Sequence, residues 1–264
     1  MEDTRFCKLH LVKELPAHPP TPESPLDRRL REAGAVELLD LVREHLATLE
    51  PPSIRQVLHS PYCTPEIVEI LAEQPRLVSF YEVRRDLSLH PQTPEPVALR
   101  FVPGLWWRDL MELGLDTRIR PRVRRVADQY LIIRLPELAL GEKITLARRA
   151  AAGTLSQLRH DPNPGVISAM LDNPRLTEDI LAPVVHAAGT PGPVLAAIAV
   201  DRRWGTRPSL QAALARHPNM PVVAALRLLP LLRKPELRAV SHDIRVPEAV
   251  RQRARVLLGE RVEG

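Results

Sequence analysis

The stretch from His90 to Leu131, HPQTPEPVALRFVPGLWWRDLMELGLDTRIRPRVRRVADQYL, decides the fold, because the chain contains it twice. At one constant offset, and without a gap, it aligns with His217 to Leu258, HPNMPVVAALRLLPLLRKPELRAVSHDIRVPEAVRQRARVLL. Fifteen of the 42 aligned positions are identical, which marks the two copies as one supersecondary unit used twice. The shared residues are His90, Pro91, Pro94, Ala98, Leu99, Arg100, Pro103, Leu105, Leu110, Asp116, Arg118, Val123, Arg124, Ala127 and Leu131, each with its partner in the second copy.

Their spacing predicts short helices. His-Pro-x-x-Pro is an extended entry, since a residue before proline is pushed out of the α region. Its second proline suits the first helical position, where the missing N–H has no intrahelical role. Thr93 precedes Pro94 and is expected to cap the helix through its hydroxyl. Cys63-Thr64-Pro65-Glu66 repeats the arrangement, and Asn173-Pro174 leads to Thr177-Glu178-Asp179, a cap followed by acids that suit a helix N-terminus. Apolar residues then return at helical spacing: Ala98, Leu99, Val102 and Leu105 in the first copy, Ala225, Leu226, Leu229 and Leu232 in the second. A second helix is expected around Leu110 or Leu237, then an Asp-bearing turn and a third helix. Helices this short draw their stability from stacked neighbours.

Composition points the same way. Only 3% of the 264 residues are aromatic, whereas Leu, Ala, Val and Arg dominate, so good helix formers outweigh sheet formers. The 28 prolines do not imply disorder when 44% of the chain is hydrophobic. They read instead as punctuation between many short helices. The expected class is all-α.

Asp116, then Val123-Arg124, then Ala127 and Leu131 on the same face, resembles the second half of a HEAT repeat, and Asp243, Val250, Arg251, Ala254 and Leu258 repeat the pattern. Asp161-Pro162-Asn163-Pro164-Gly165-Val166 resembles a third, shorter instance in which Ile167 replaces the arginine. Over roughly residues 55 to 260 the chain is similar to bacterial proteins built of HEAT-like or leucine-rich-variant helical repeats. The resemblance implies an α-solenoid of stacked helix pairs. It further implies that Asp116, Asp161 and Asp243 bond backbone amides in turns, and that the following arginine packs along the stack. It implies no particular activity. Some leucine-rich-variant proteins carry an iron–sulfur cluster near the N-terminus, and this chain lacks the cysteines for one.

Residues 1 to 25 are rich in proline and polar groups and read as a disordered tail, followed by a single domain over 26–264. Leu26 to Leu49 is expected to form two helices, or one broken at Gly34, as an N-terminal cap. A helix is expected from Gly141 to Ala152. Ile180 to Val200 is uncharged and long enough to span a bilayer, but its prolines and glycines favour two short buried helices joined by a turn. Met1 is followed by Glu2, Asp3, Thr4 and Arg5, which is unlike a signal peptide. A cytoplasmic protein with no membrane span is expected.

Cys7 and Cys63 are too few for a disulfide framework, and no CxxC pair exists. Cys7 with His10 and His59 with Cys63 each offer two ligands where a structural zinc site takes four, so neither a metal nor any other cofactor is expected. No phosphate-binding loop, nucleophile elbow or HExxH pattern occurs, so an enzyme is not expected. His90 and His217 sit at equivalent repeat positions, which favours a turn-stabilising role. Because Asp116 and Asp243 recur, they read as structural rather than catalytic.

What differs between the copies is the better guide to function. Trp106 and Trp107 stand where the second copy has Arg233 and Lys234. Adjacent tryptophans on a short helix cannot both point inward, so one is a candidate anchor for a protein partner. Arg118, Arg120, Arg122, Arg124 and Arg125 form a basic cluster, within a chain of net charge +5. Arg148, Arg149, Arg202 and Arg203 extend it as a possible stripe. The leading expectation is a non-catalytic scaffold that binds a protein. The alternative is a nucleic-acid-binding solenoid, similar to HEAT-like DNA glycosylases, which requires Arg118 to Arg125 to share one groove with Trp106 or Trp107. A small-molecule sensor is a third, weaker option without a pocket signature.

Overall fold

The structure is a computed structural model that describes residues 24–260. Among these residues every regular element is helical, and no helix is long and apolar enough to cross a membrane. The first part of the chain forms α1 (Pro25–Glu32), α2 (Ala35–His45), α3 (Pro51–His59), α4 (Pro65–Ala72), α5 (Pro75–Val78), α6 (Tyr81–Leu89), α7 (Glu95–Phe101), α8 (Trp107–Leu115) and α9 (Pro121–Arg134). After α10 (Leu140–Ala147) come α11 (Ala152–Leu158), α12 (Pro164–Leu171), α13 (Glu178–His186), α14 (Gly192–Val200), α15 (Pro208–Arg216), α16 (Val222–Leu228), α17 (Lys234–His242) and α18 (Glu248–Leu258).

The internal repeat is much longer than the stretch from His90 to Leu131 over which identity reveals it. At the offset that carries His90 onto His217, α3, α6, α7 and α8 begin and end at the same positions as α13, α15, α16 and α17. The 3-10 turn Val102–Gly104 coincides with Leu229–Leu231 in the same way. Burial follows the register too. Ser53, Ile54, Val57 and Leu58 of α3 are buried, as are Ile180, Leu181, Val184 and Val185 of α13. Leu49, Leu77, Leu105 and Ala127 match Leu176, Trp204, Leu232 and Ala254. Even a long-range bond is shared: Arg76 donates to the Leu49 carbonyl, and Arg203 to the Leu176 carbonyl at 3.1 Å. We call residues 51–134 the first half and residues 178–258 the second.

Partners in packing lie close together along the chain. α1 packs on α3, α3 on α6, α7 on α9, α10 on α12, α12 on α14, α13 on α15, α15 on α17 and α16 on α18. Buried apolar side chains form two clusters, one from Leu30 to Leu87 and the other from Ala98 to Ala254. They meet at α7, which gives Phe101 to the first and Ala98 to the second. Each fully buried leucine contributes about 2 kcal/mol, so the stacking supplies what helices of seven to nine residues lack.

Several local expectations change. Thr93 does not cap α7, which has Pro94 as its cap. The Thr93 hydroxyl is buried and donates to the Leu87 carbonyl at 2.5 Å, closing the turn behind α6; Thr190 does the same to Val184 at 2.6 Å. The helix expected over 141–152 stops at Ala147, and Ala152 starts α11. The break at Gly34 separates α1 from α2 as expected, and Ile180 to Val200 resolves into α13 and α14. The expected tail lies outside the described residues except for Ser24, whose side chain caps α1, and Pro25, its first residue.

Candidate functional site

Helices that end in register bring their last turns together. A cavity of about 700 Å³ opens where the C-terminal ends of α3 and α6 meet the turn after α8. Arg55, His59, Arg85, Asp86, His90 and Arg118 line it, with Leu58, Pro61, Leu89 and Pro91 between them. A cavity of about 350 Å³ lies at the equivalent place in the second half. There His186, His217, Pro218 and Arg245 are the repeat partners of His59, His90, Pro91 and Arg118. The repeat thus builds the same hollow twice.

Two features of the hollow are common to both halves. Asp116 Oδ1 accepts the Arg118 backbone N–H at 2.9 Å, while Nε and Nη2 of that arginine grip the carboxylate at 3.1 and 2.8 Å. Asp243 and Arg245 reproduce the clasp, with 3.1 Å to the N–H and 3.0 and 2.8 Å to the guanidinium. The arginine holds each carboxyl below the usual carboxylate range, and Asp243, which Arg216 also approaches at 3.2 Å, is lowered further. The second common feature is a histidine. His217 Nδ1 accepts the Asn219 N–H at 3.1 Å, so the proton resides on Nε2, which donates to the Ala187 carbonyl at 3.0 Å. The Nδ1 of His90 is buried without a hydrogen-bond partner among the described residues. Burial lowers its pKa, and neighbouring His59 and Arg118 lower it further. Asp161 belongs to the same class of turn: it accepts the Asn163 N–H at 2.9 Å and pairs with Lys143 at 3.2 Å.

What the halves do not share is where the remaining charges stand. Arg55 Nε donates to Asp86 at 2.9 Å, and Arg85 Nε lies 3.1 Å from Asp109. The second half has Ala182, Ala212 and Ala213 in place of Arg55, Arg85 and Asp86, and Arg216 in place of Leu89.

The tryptophans and the basic cluster lie elsewhere. Trp106 is 66% exposed and stacks on Tyr81 with ring centroids 4.5 Å apart. Its backbone N–H donates to the Tyr81 hydroxyl at 2.9 Å, and that hydroxyl donates in turn to Asp109. Burial, then the bond to Asp109, pushes Tyr81 up to about 12. Trp107 is half-buried and donates from Nε1 to Glu142 at 2.9 Å, tying α8 to α10. Arg120 is the exposed cap residue of α9, and Arg122 pairs with Glu95 at 3.0 Å. Arg124 and Arg125 line a separate cavity of about 430 Å³ with Gly114 and Asp128. Arg118 therefore faces a different hollow from Arg124 and Arg125, and neither tryptophan lines either one. Arg203 is engaged with the Asn173 and Leu176 carbonyls and lies 4.5 Å over the Trp204 ring.

No group of three or more His, Cys, Asp or Glu side chains that could hold a metal occurs among the described residues. Cys63 lines the first cavity, and burial pushes its thiol up to about 11, which leaves it unreactive as a nucleophile at neutral pH. Cys7 and His10 lie outside the described residues. Arg55 and Arg85 were not candidates from sequence. Extending the ungapped alignment upstream to Pro51 would have found them, but between 51 and 89 only Val57, His59, Ala72, Arg76 and Leu87 are identical to their partners.

Compared with known proteins, the chain matches no family model, no curated protein and no solved structure.

Proposed function

We infer that the chain is an α-solenoid of HEAT-like repeats that works as a non-catalytic scaffold, holding a protein partner at the cavity of its first half. The observation that carries this reading is the paired hollow: one repeat unit forms it twice, and the first copy lines it with Arg55 and Arg85 where the second has alanine. Residues that recur in both halves explain turns and stacking, so recognition falls to those that differ. Packing between helices that are close in chain order supports the solenoid, because each unit needs only its neighbours. Repeat arrays of this kind present extended surfaces to partners.

A nucleic-acid role has less support. It calls for cations along a continuous path, whereas the cluster is split, with Arg118 on one cavity and Arg124 and Arg125 on another. The test is a photo-crosslinking amino acid at Gln92, an exposed position on the rim of the first cavity. Illumination in cells is expected to yield protein adducts that survive nuclease. Adducts removed by nuclease would contradict the scaffold reading and favour the nucleic-acid one.

A further inference from the structure

We propose that the cavity of the first half is a receptor for an acidic peptide segment, whose carboxylates are taken by the guanidinium groups of Arg55, Arg85 and Arg118. The proposal rests on the scaffold reading and names the chemistry of the partner.

The arginines are mounted for the purpose. Each pairs with a carboxylate: Arg55 and Arg118 donate from Nε to Asp86 and Asp116, and Arg85 lies 3.1 Å from Asp109. The acids are the more buried members of the pairs. Side-chain exposure is 19%, 12% and 17% for the three aspartates, against 46%, 38% and 72% for the arginines. Two of the acids, Asp109 and Asp116, do not line the cavity at all. The negative charges therefore sit behind the positive ones, and the cavity wall presents three guanidiniums to one carboxylate. An anchored arginine still has N–H donors for a second carboxylate, Nη1 in the case of Arg118, and loses little side-chain entropy on binding.

Size and lining favour a peptide over other anions. Ligand cavities commonly measure about 300–1,000 Å³, and this one falls in that range. Leu58, Pro61, Leu89 and Pro91 offer apolar contacts to a peptide's methylene groups. A single-stranded nucleic acid would call for aromatic stacking platforms, and Trp106 and Trp107 lie outside the cavity. The second half acts as an internal control. It keeps His217 and Arg245, but it has alanine at the three divergent positions, half the volume, and Arg216 in place of Leu89, which shares Asp243 with Arg245.

The experiment is fluorescence anisotropy with a fluorescein-labelled Glu-Ala repeat peptide and a labelled oligothymidine, at low and moderate salt. The variant is Arg55→Ala/Arg85→Ala/Asp86→Ala, which installs the residues that the same helices carry in the second half. Arg148→Ala/Arg149→Ala removes two exposed charges away from the cavity and controls for net charge. Wild type is expected to bind the Glu-Ala peptide, the cavity variant to bind it at least about tenfold more weakly, and the control to stay within about twofold. Should the triple variant lose its helical circular dichroism, Arg118→Gln replaces it, with the same weakening expected. Equal binding by the folded cavity variant, no binding by wild type, or tighter binding of oligothymidine would each overturn the proposal. The first two results leave the scaffold reading standing, because that reading is judged by the nature of the Gln92 adducts.

Discussion

The two halves share a frame and differ in what the frame carries. α3 and α13, α6 and α15, and α8 and α17 occupy the same register and bury the same faces, yet Arg55, Arg85 and Asp86 face Ala182, Ala212 and Ala213 across the repeat. Packing fixes the helices to their neighbours, so a position outside the buried face is free to change without disturbing the packing. The comparison teaches where to look for function in a duplicated helical chain: at cavity-lining positions where the two copies differ.

The largest expected effect probes a place where the shared core diverges. Trp204 is fully buried, with the guanidinium carbons of Arg203 and Arg207 4.5 and 4.8 Å from its ring centroid, and its counterpart is Leu77. Trp204→Ala is expected to lower stability by about 3–5 kcal/mol in chemical denaturation. Trp204→Leu, which installs the first-half residue, is expected to cost less. Equal losses would mean that the two sites are not equivalent.

Gly205 sharpens the same point. A Cβ there would sit 2.3 Å from the Ala199 carbonyl oxygen and 2.8 Å from that of Asp201, so the turn after α14 closes only around a glycine. Gly205→Ala is expected to cost about 1–3 kcal/mol, read as a fall in Tm. The first half has Val78 at this position, within α5, and no such closure.

Acid titration separates the two clasps. Both carboxyls are lowered in the folded protein, so their stabilisation is complete above the ordinary value of 3.8 and fades as pH falls toward the folded value. Asp243 is lowered further than Asp116. Asp243→Asn is therefore expected to cost about 1–2 kcal/mol at neutral pH and to flatten the acid limb of stability against pH. Asp116→Asn should do both to a lesser degree.

The smallest effect concerns His90. Burial disfavours its charged form, so its contribution is present above the ordinary value of 6.5 and is lost as pH falls below it. Replacing His90 with Gln is expected to remove a shallow loss of stability between pH 6.5 and 5, measured by thermal melts. An unchanged profile would show that His90 is as accessible to protons folded as unfolded.

Much of the frame is legible in the sequence. Proline-led entries and helical spacing mark α7, α8 and α9 and their counterparts, and Gly34 marks the break between α1 and α2. The repeat upstream of His90 is hidden because burial, not identity, maintains it: Ile54 and Leu181, or Leu77 and Trp204, fill the same place in the core with different side chains. The role of Thr93 misled because a hydroxyl beside a proline can bond backward to a carbonyl as well as forward to an amide. The candidate site was half legible. Arg118, His90 and Asp116 stood out by recurrence, while Arg55 and Arg85 were hidden because their significance lies in having no counterpart. The arginine-rich run 118–125 looked like one surface, but it spans a turn and a helix start, and these face different cavities.

The most direct test is hydrogen–deuterium exchange on the full chain with and without saturating Glu-Ala repeat peptide. Protection is expected at the ends of α3 and α6 and in the 116–118 turn, with the equivalent ends of α13 and α15 and the 243–245 turn unchanged. Protection shared equally by both halves, or confined to the Trp106 face or the Arg124 cavity, would contradict the assignment of recognition to the first-half cavity.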